Sequence, residues 1–490
     1  MTRTLVVWGT SSGAGKSLLA TALCRSAARR GLDVVPFKAQ NMSNNARVVP
    51  RALDGGAGEI GSAQYFQALA ARAAPHTDMN PVLLKPERDT ASQVVVHGVV
   101  DRALSAMGWR ERSAPLAASA RQSFERLAAA HELVIVEGAG SPAEINLAPQ
   151  DYVNLGTARW ARELGEVEAL LVTDIDRGGA FAACHGTWAL LPDDLRGLLA
   201  GYVLNRFRGD AALLAPGPQM LQAMTGVPLA GVLPMRRGHG LPEEDGVFDD
   251  GARGEGEARL RVAVLAPPHI SNLDEFQPLA RVPGLHLRWA REVGALAGAD
   301  WIVLPGSKQV SGDLAWLRAR GLDAAVLRHA AAGGAVLGVC GGLQMLGRTL
   351  HDPQGHDGEA FDALPGLGLL PLDTHFGADK RLRDGPLRFG SAQGPWAALQ
   401  GAQARGYEIR CGQTVAVAGA AVLHDARGEA IGWQAGPVLG VYAHGLFESP
   451  AVLRALFGAA VPTLETAFDS LADLVDEHLD APLLRRLLGA

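Results

Sequence analysis

The 490 residues allow about three domains at ~150 residues each, or two large ones. With 48% hydrophobic and 20% charged residues, and Gly (60) and Pro (28) short of low-complexity levels, the chain is expected to bury sizeable cores rather than stay disordered. A net charge of −6 argues against broad binding to nucleic acid or an anionic membrane, and four scattered cysteines (Cys24, Cys184, Cys340, Cys411) suit a reducing cytoplasm rather than a disulfide scaffold or CxxC metal site.

The opening MTRTLVVWG carries too short an apolar run for a signal-peptide core. In the first half, TLVVWG (4–9), DVVPFK (33–38), LVIVEG (133–138), ALLVTD (169–174), GYVLNR (201–206) and AGVLP (230–234) read as buried strands. Helix-like stretches such as SLLATALCRSAARRG (17–31), closed by a glycine, lie between several of them. This alternation predicts an α/β fold with a parallel sheet covered on both faces. The Gly- and acid-rich run 236–259 is expected to be a linker. A second α/β series follows, with strands at 261–267, 285–290, 301–307 and 335–342 and a last one within GPVLGVYAHGLF (436–447). Residues 330–347 are uncharged, but their glycines and Gln344 predict strand, sharp turn and helix rather than a membrane span. The expected domains are therefore 1–235, a linker 236–259, 260–450, and a helical segment 451–490.

The first strand runs into Gly9-Thr10-Ser11-Ser12-Gly13-Ala14-Gly15-Lys16-Ser17 and then a helix. Glycines let backbone N–H groups converge on phosphate oxygens, and the helix N-terminus adds partial positive charge. Lys16 reaches terminal phosphates and the Ser17 hydroxyl suits Mg²⁺. Thr10 stands where the phosphate-loop pattern has its first glycine. Glu137, at the carboxyl end of a hydrophobic strand, is placed to supply a second Mg²⁺ ligand. Asp174 and Asp176 sit at the same edge, with Arg177 beside them, a combination suited to metal and anionic substrate.

A second centre is predicted at Gly338-Val339-Cys340-Gly341-Gly342, the G-x-nucleophile-x-G pattern between a buried strand and a helix. Small flanking residues permit a strained turn, and the helix N-terminus lowers the thiol pKa and offers oxyanion donors. His444, in VYAHGLF, is the candidate base. The order Cys then His resembles class I glutamine amidotransferases, and the turn at Leu304-Pro305-Gly306-Ser307 offers further oxyanion donors, so Gly306 and Gly341 are expected to line that hole. Those enzymes mostly carry Glu two residues after the His. Leu446 stands there in this chain, and Glu448 is a candidate replacement.

Taken together, GTSSGAGKS, FKAQNMSNN (37–45), MNPVLLKP (79–86), VEGAGSPAEINL (136–147), DIDRGGAFA (174–182), NRFRGD (205–210), LPEEDG (241–246), LPGSK (304–308), GVCGGLQMLG, GYEIRCG (406–412) and YAHGLF resemble the cobyric acid synthase family along nearly the whole chain. That family also shows a Cys–His dyad without the usual Glu. The resemblance implies a dethiobiotin synthetase-like ATPase followed by a class I-like glutaminase, with ATP and Mg²⁺ in the first and glutamine in the second. It implies ammonia release at Cys340 and amidation of the b, d, e and g carboxylates of adenosylcobyrinic acid a,c-diamide through acyl phosphates. On this basis Gln40, Asn41, Asn44, Asp176 and Arg177 are expected to face the corrinoid, and Thr10, Gly13, Gly15, Lys16, Ser17 and Asn205 the nucleotide. Small departures are Gln309-Val310 after LPGSK and Leu343 in place of a common Tyr. Two alternatives are cobyrinic acid a,c-diamide synthase and a partition-type nucleotide switch. Against the first stands KAQNMSNN in place of a GPDYIDP-like segment; against the second stand Ser11, where a second P-loop lysine belongs, and the glutaminase half.

Overall fold

The structure, a computed structural model, describes residues 2–88, 91–236, 238–241, 254, 256–418, 420–458 and 461–489. The first unit is built on six parallel strands in the order Leu229–Pro234, Leu199–Phe207, Glu166–Asp174, Arg3–Gly9, Leu133–Glu137, Val34–Phe37. Alternate residues of a strand point to opposite faces. Accordingly Leu5 and Val7 enter one apolar cluster and Val6 and Trp8 the other, so both faces of the sheet are buried. Residues 9–15 leave the central strand at its carboxyl end, where strand order turns and ligands bind in open parallel sheets. Each strand predicted in this half is present.

The C-terminal segment departs from the expected division. Pro450–Phe457 belongs to the second unit, whereas residues 464–490 belong to the first. The physical reason is legible in the helix Leu464–His478. Its Phe468, Leu471, Leu474 and Val475 are buried in the cluster that contains Leu19 and Leu23 of the helix Lys16–Arg29. Each such side chain contributes roughly 1.5–3 kcal/mol on burial. Beside them Glu465 and Asp469 pair with the buried Arg25, Asp473 with Arg29, and Asp476 with Arg30. A stripe of acids at helical spacing thus meets a stripe of arginines.

The second unit comprises 44–48 and 242–463. Its sheet starts with five parallel strands in the order Leu285–Ala290, Leu260–Leu265, Trp301–Leu304, Ala335–Val339, Val438–Val441. It continues through antiparallel pairing of Val438–Val441 with Ala430–Ala435 and on to a long hairpin of Leu372–Phe389 and Gln403–Ala416. Most of the predicted linker 236–259 lies outside the described residues. The break falls at 241/242, and the short stretch Asn44–Val48 is a part of the second unit that the sequence reading assigned to the first domain. Among the described residues no helix is long and apolar enough to cross a membrane.

Candidate active site

In the first unit the glycine-rich turn closes on its own lysine. Lys16 is buried, and its ammonium donates to the carbonyls of Ser11 and Gly140, 2.9 Å each. Gly15 has φ of 110°, and a β-carbon there would stand 2.0 Å from Asn205 Nδ2, so the turn admits only glycine at that point. Asn205 donates from Nδ2 to the Ala14 carbonyl at 3.0 Å and so braces the loop. Thr10 Oγ1 donates to Thr173 at 2.9 Å, tying the loop to the neighbouring strand.

Ser17 and Glu137, expected to share a cation, do meet: Ser17 Oγ donates to Glu137 Oε1 at 2.7 Å. The same carboxylate takes Lys38 Nζ at 2.9 Å and the amides of Gln64 and Gln67, none of which the sequence reading assigned to this site. Burial alone would raise the Glu137 pKa, but the Lys38 ammonium and the bonds from Ser17 and Gln67 outweigh it and hold the carboxyl below its ordinary value. Among the described residues no cluster of three His, Cys, Asp or Glu gathers. A hydroxyl and a carboxylate in contact nevertheless fit Mg²⁺, which keeps several waters and takes phosphate oxygens rather than an all-protein cage.

Of the five residues expected to face substrate, Asp176 and Arg177 lie near the phosphate loop. Arg177 is exposed, and a β-carbon on Gly13 would lie 3.7 Å from its Nη2, which sets it over the phosphate loop. It pairs with Asp174 at 3.3 Å, as does Arg206 at 2.8 Å, while Arg208 pairs with Asp176. Arg206 and Arg208, in NRFRGD, therefore add two cations that the sequence reading left unassigned. Gln40 accepts from the Tyr152 hydroxyl. Asn41 is buried, its amide against Gly61, and does not face solvent. Asn44 belongs to the second unit.

In the second unit Cys340 stands at the end of its strand with φ 51° and ψ −104°, and the helix Gly341–Leu346 begins at the next residue. A β-branched or bulky side chain rarely holds such a backbone, and this strain is what projects the thiol. Cys340 Sγ contacts the Ile409 carbonyl at 3.6 Å and hydrogen-bonds His444. His444 is buried. Gly306 lies under its ring: a β-carbon there would be 2.8 Å from His444 Cε1. One at Gly341 would be 2.7 Å from the Ser307 nitrogen, so the two turns expected to form an oxyanion hole are neighbours.

The orienting carboxylate is Glu275, and not Glu448. Glu275 Oε1 is 2.8 Å from His444 Nδ1, and Oε2 accepts the Gly445 N–H at 2.9 Å. Glu448 instead pairs with Arg47 at 2.7 Å. Burial would lower the His444 pKa, but the charge of Glu275, the neighbouring Cys340 sulfur and the hydrogen bonds to both raise it to about 10. The Tyr407 ring stacks on the imidazole, centroids 5.3 Å apart. The signal for Glu275 was weak. It lies 169 positions from His444, in a short irregular helix (Leu273–Arg281) that no local motif marks.

A thiol on a strained elbow, a histidine held by a carboxylate, and a phosphate-loop sheet in the same chain define a glutamine amidotransferase joined to a nucleotide-binding domain. Residues 261–452 match the family described as CobB/CobQ-like glutamine amidotransferase domain, and residues 5–245 the one described as CobQ/CobB/MinD/ParA nucleotide binding domain. The chain belongs to the cobyric acid synthase family. It is 62% identical to the cobyric acid synthase of Methylibium petroleiphilum, over 99% of this chain and 97% of that one. It is 60% identical to that of Variovorax paradoxus over the whole of both chains, and 60% to that of Leptothrix cholodnii over 99% and 97%. A solved glutamine amidotransferase aligns with 47% of this chain and 99% of its own at 18% identity, with a TM-score of 0.29 that bears no weight.

Proposed function

We propose that this chain converts adenosylcobyrinic acid a,c-diamide to adenosylcobyric acid by amidating its b, d, e and g carboxylates, with glutamine as nitrogen donor and ATP as the activating agent. The observation that carries the reading is the buried line Glu275–His444–Cys340, in a chain whose other unit holds a phosphate loop.

At the rear centre the Cys340 thiolate attacks the side-chain amide carbon of glutamine. The backbone of Gly306 and Gly341 holds the oxyanion, and the His444 imidazolium gives its proton to the departing ammonia. Water, with His444 now accepting its proton, hydrolyses the glutamyl thioester to glutamate and regenerates the thiol. Glu275 keeps the imidazole in the orientation that leaves its other ring nitrogen facing sulfur.

At the front centre Lys16 and the loop amides grip the terminal phosphates, and a corrinoid carboxylate oxygen takes the γ-phosphoryl group to give an acyl phosphate and ADP. Ser17 and Glu137 are the residues that would hold Mg²⁺, which when bound neutralises phosphate charge. Arg177, Arg206 and Arg208 at the loop's mouth are suited to anionic substrate. Ammonia attacks the acyl carbon, phosphate leaves, and the amide forms. Activation is needed because a free carboxylate is a poor electrophile.

Mass spectrometry of the a,c-diamide after incubation with glutamine, ATP and Mg²⁺ tests the assignment: four added amides are expected, and an unchanged a,c-diamide together with two amides added to cobyrinic acid would assign the chain to the a,c-diamide reaction. Cys340→Ala is expected to lose glutamine-dependent amidation and keep the ammonia-dependent reaction. Loss of both would overturn the division of labour.

A further inference from the structure

Arg47 lies outside every motif described above, yet it is buried to 2% exposure in the second unit. Its guanidinium pairs with Asp274 and, at 2.7 Å, with Glu448. It also lies over the Tyr407 ring, 4.9 Å from the centroid, while the same ring stacks on His444. The backbone around it is tied reciprocally to the turn that carries Glu275. Ala46 N–H donates to Asn272 Oδ1 at 2.8 Å, and Leu273 N–H donates to Asn45 Oδ1 at 3.1 Å. Asn272 itself sits in the left-handed region, φ 54°, where a non-glycine residue is held only by its surroundings.

Both groups that set the imidazole are therefore one contact from Arg47. Asp274, its ion-pair partner, precedes Glu275 in the chain, and the Tyr407 ring is in contact with both the guanidinium and the imidazole. The charged and titratable groups facing it include Asp274, Glu448 and Tyr407, with Glu275 next along the turn. A buried ion cluster of this kind is a poor source of stability, because a well-packed apolar replacement often does as well. What the planar guanidinium, with one nitrogen shared by Asp274 and Glu448 and its face on the Tyr407 ring, offers over such a replacement is a fixed geometry.

We propose that Arg47 is a positioning residue of the glutaminase, holding the 272–275 turn and the Tyr407 ring so that Glu275 and His444 stay in line with Cys340. This rests on the reading of Cys340 and His444 as the glutaminase dyad. Arg47 touches neither glutamine nor sulfur in this role; it acts through Asp274 and Tyr407.

The test uses the full chain with Arg47→Met and Arg47→Lys, assayed for glutamine hydrolysis and for amidation driven by glutamine or by ammonia, with Cys340→Ala in parallel. Arg47→Met is expected to lower kcat for glutamine hydrolysis by about tenfold or more, with KM for glutamine within about twofold and ammonia-driven amidation unchanged. Arg47→Lys, which restores charge without the planar fork, is expected to recover part of kcat. Wild-type kcat in Arg47→Met overturns the proposal. So does parallel loss of the ammonia-driven reaction with no recovery in Arg47→Lys, which marks a purely structural role. If Cys340→Ala keeps full glutamine-driven amidation, the dyad reading itself fails, and this proposal with it.

Discussion

Glu275 holds His444 at two points, one carboxylate oxygen on Nδ1 at 2.8 Å and the other on the N–H of the following residue at 2.9 Å. Ring and backbone are thus fixed together, so the imidazole can neither rotate nor withdraw from the thiol without breaking a charge-assisted bond. A base positioned in this way supports general acid–base work on the order of 10²- to 10⁴-fold.

Glu275→Gln keeps the shape of this clamp and removes its charge. Glutamine hydrolysis is expected to fall by about a hundredfold or more, with ammonia-driven amidation within about twofold of wild type. Steady-state kinetics with each nitrogen source read the difference, and undiminished hydrolysis would mean that Glu275 does not orient the base.

The same pair sets a pH dependence of stability. The His444 pKa in the folded chain, about 10, lies above its ordinary 6.5. Its contribution is therefore complete below about pH 6.5 and disappears as pH rises through about 10. Thermal melting of the wild type is expected to drop between about pH 7 and about pH 10, and the drop to shrink in Glu275→Gln. Equal slopes in the two proteins would contradict the assigned charge pair.

Gly306→Ala places a methyl 2.8 Å from His444 Cε1 and equally close to Ser271 Oγ. Contacts that short force a shift, and the ring is the group that must give. Glutaminase activity is expected to fall at least about tenfold, while the ATP-dependent reaction with ammonia persists. A fully active Gly306→Ala protein would separate this glycine from the site.

Lys38→Met leaves the Glu137 carboxylate buried without its cation. Breaking such a pair from one side costs about 3–5 kcal/mol, and protonation of Glu137 is the cheaper outcome. A lower melting temperature at neutral pH is expected, with loss of ATP-dependent amidation and survival of glutamine hydrolysis. An unchanged melting curve would mean that Lys38 does not neutralise Glu137, whatever the activity.

Local chemistry made the strands, the phosphate loop and the elbow legible, because each is a contiguous stretch whose periodicity or glycine spacing has one structural meaning. Ser17 and Glu137 meet in this way, as do Cys340 and His444. Glu275 and Arg47 were not legible. Each reaches its partners across a long stretch of chain, Glu275 from the short irregular helix Leu273–Arg281 and Arg47 from the strand Ala46–Pro50, and no local motif marks either. Glu448 is the instructive failure: it lies nearest His444 in sequence, while the fold delivers a carboxylate from elsewhere. The fate of the last helix was readable in principle, from the acids at 465, 469, 473 and 476, once the arginines at 25, 29 and 30 are set beside them.

The chain passes from one unit to the other at 43/44, 48/49, 241/242 and 463/464. No single cut can therefore yield two complete halves. A glutaminase excised from residue 242 onward would be born without its arginine, and a synthetase ending at 241 would expose the apolar face that Phe468, Leu471 and Val475 cover. Swapping modules with a relative would have to exchange the short insert and the tail as well, so the two activities are bound to be inherited together.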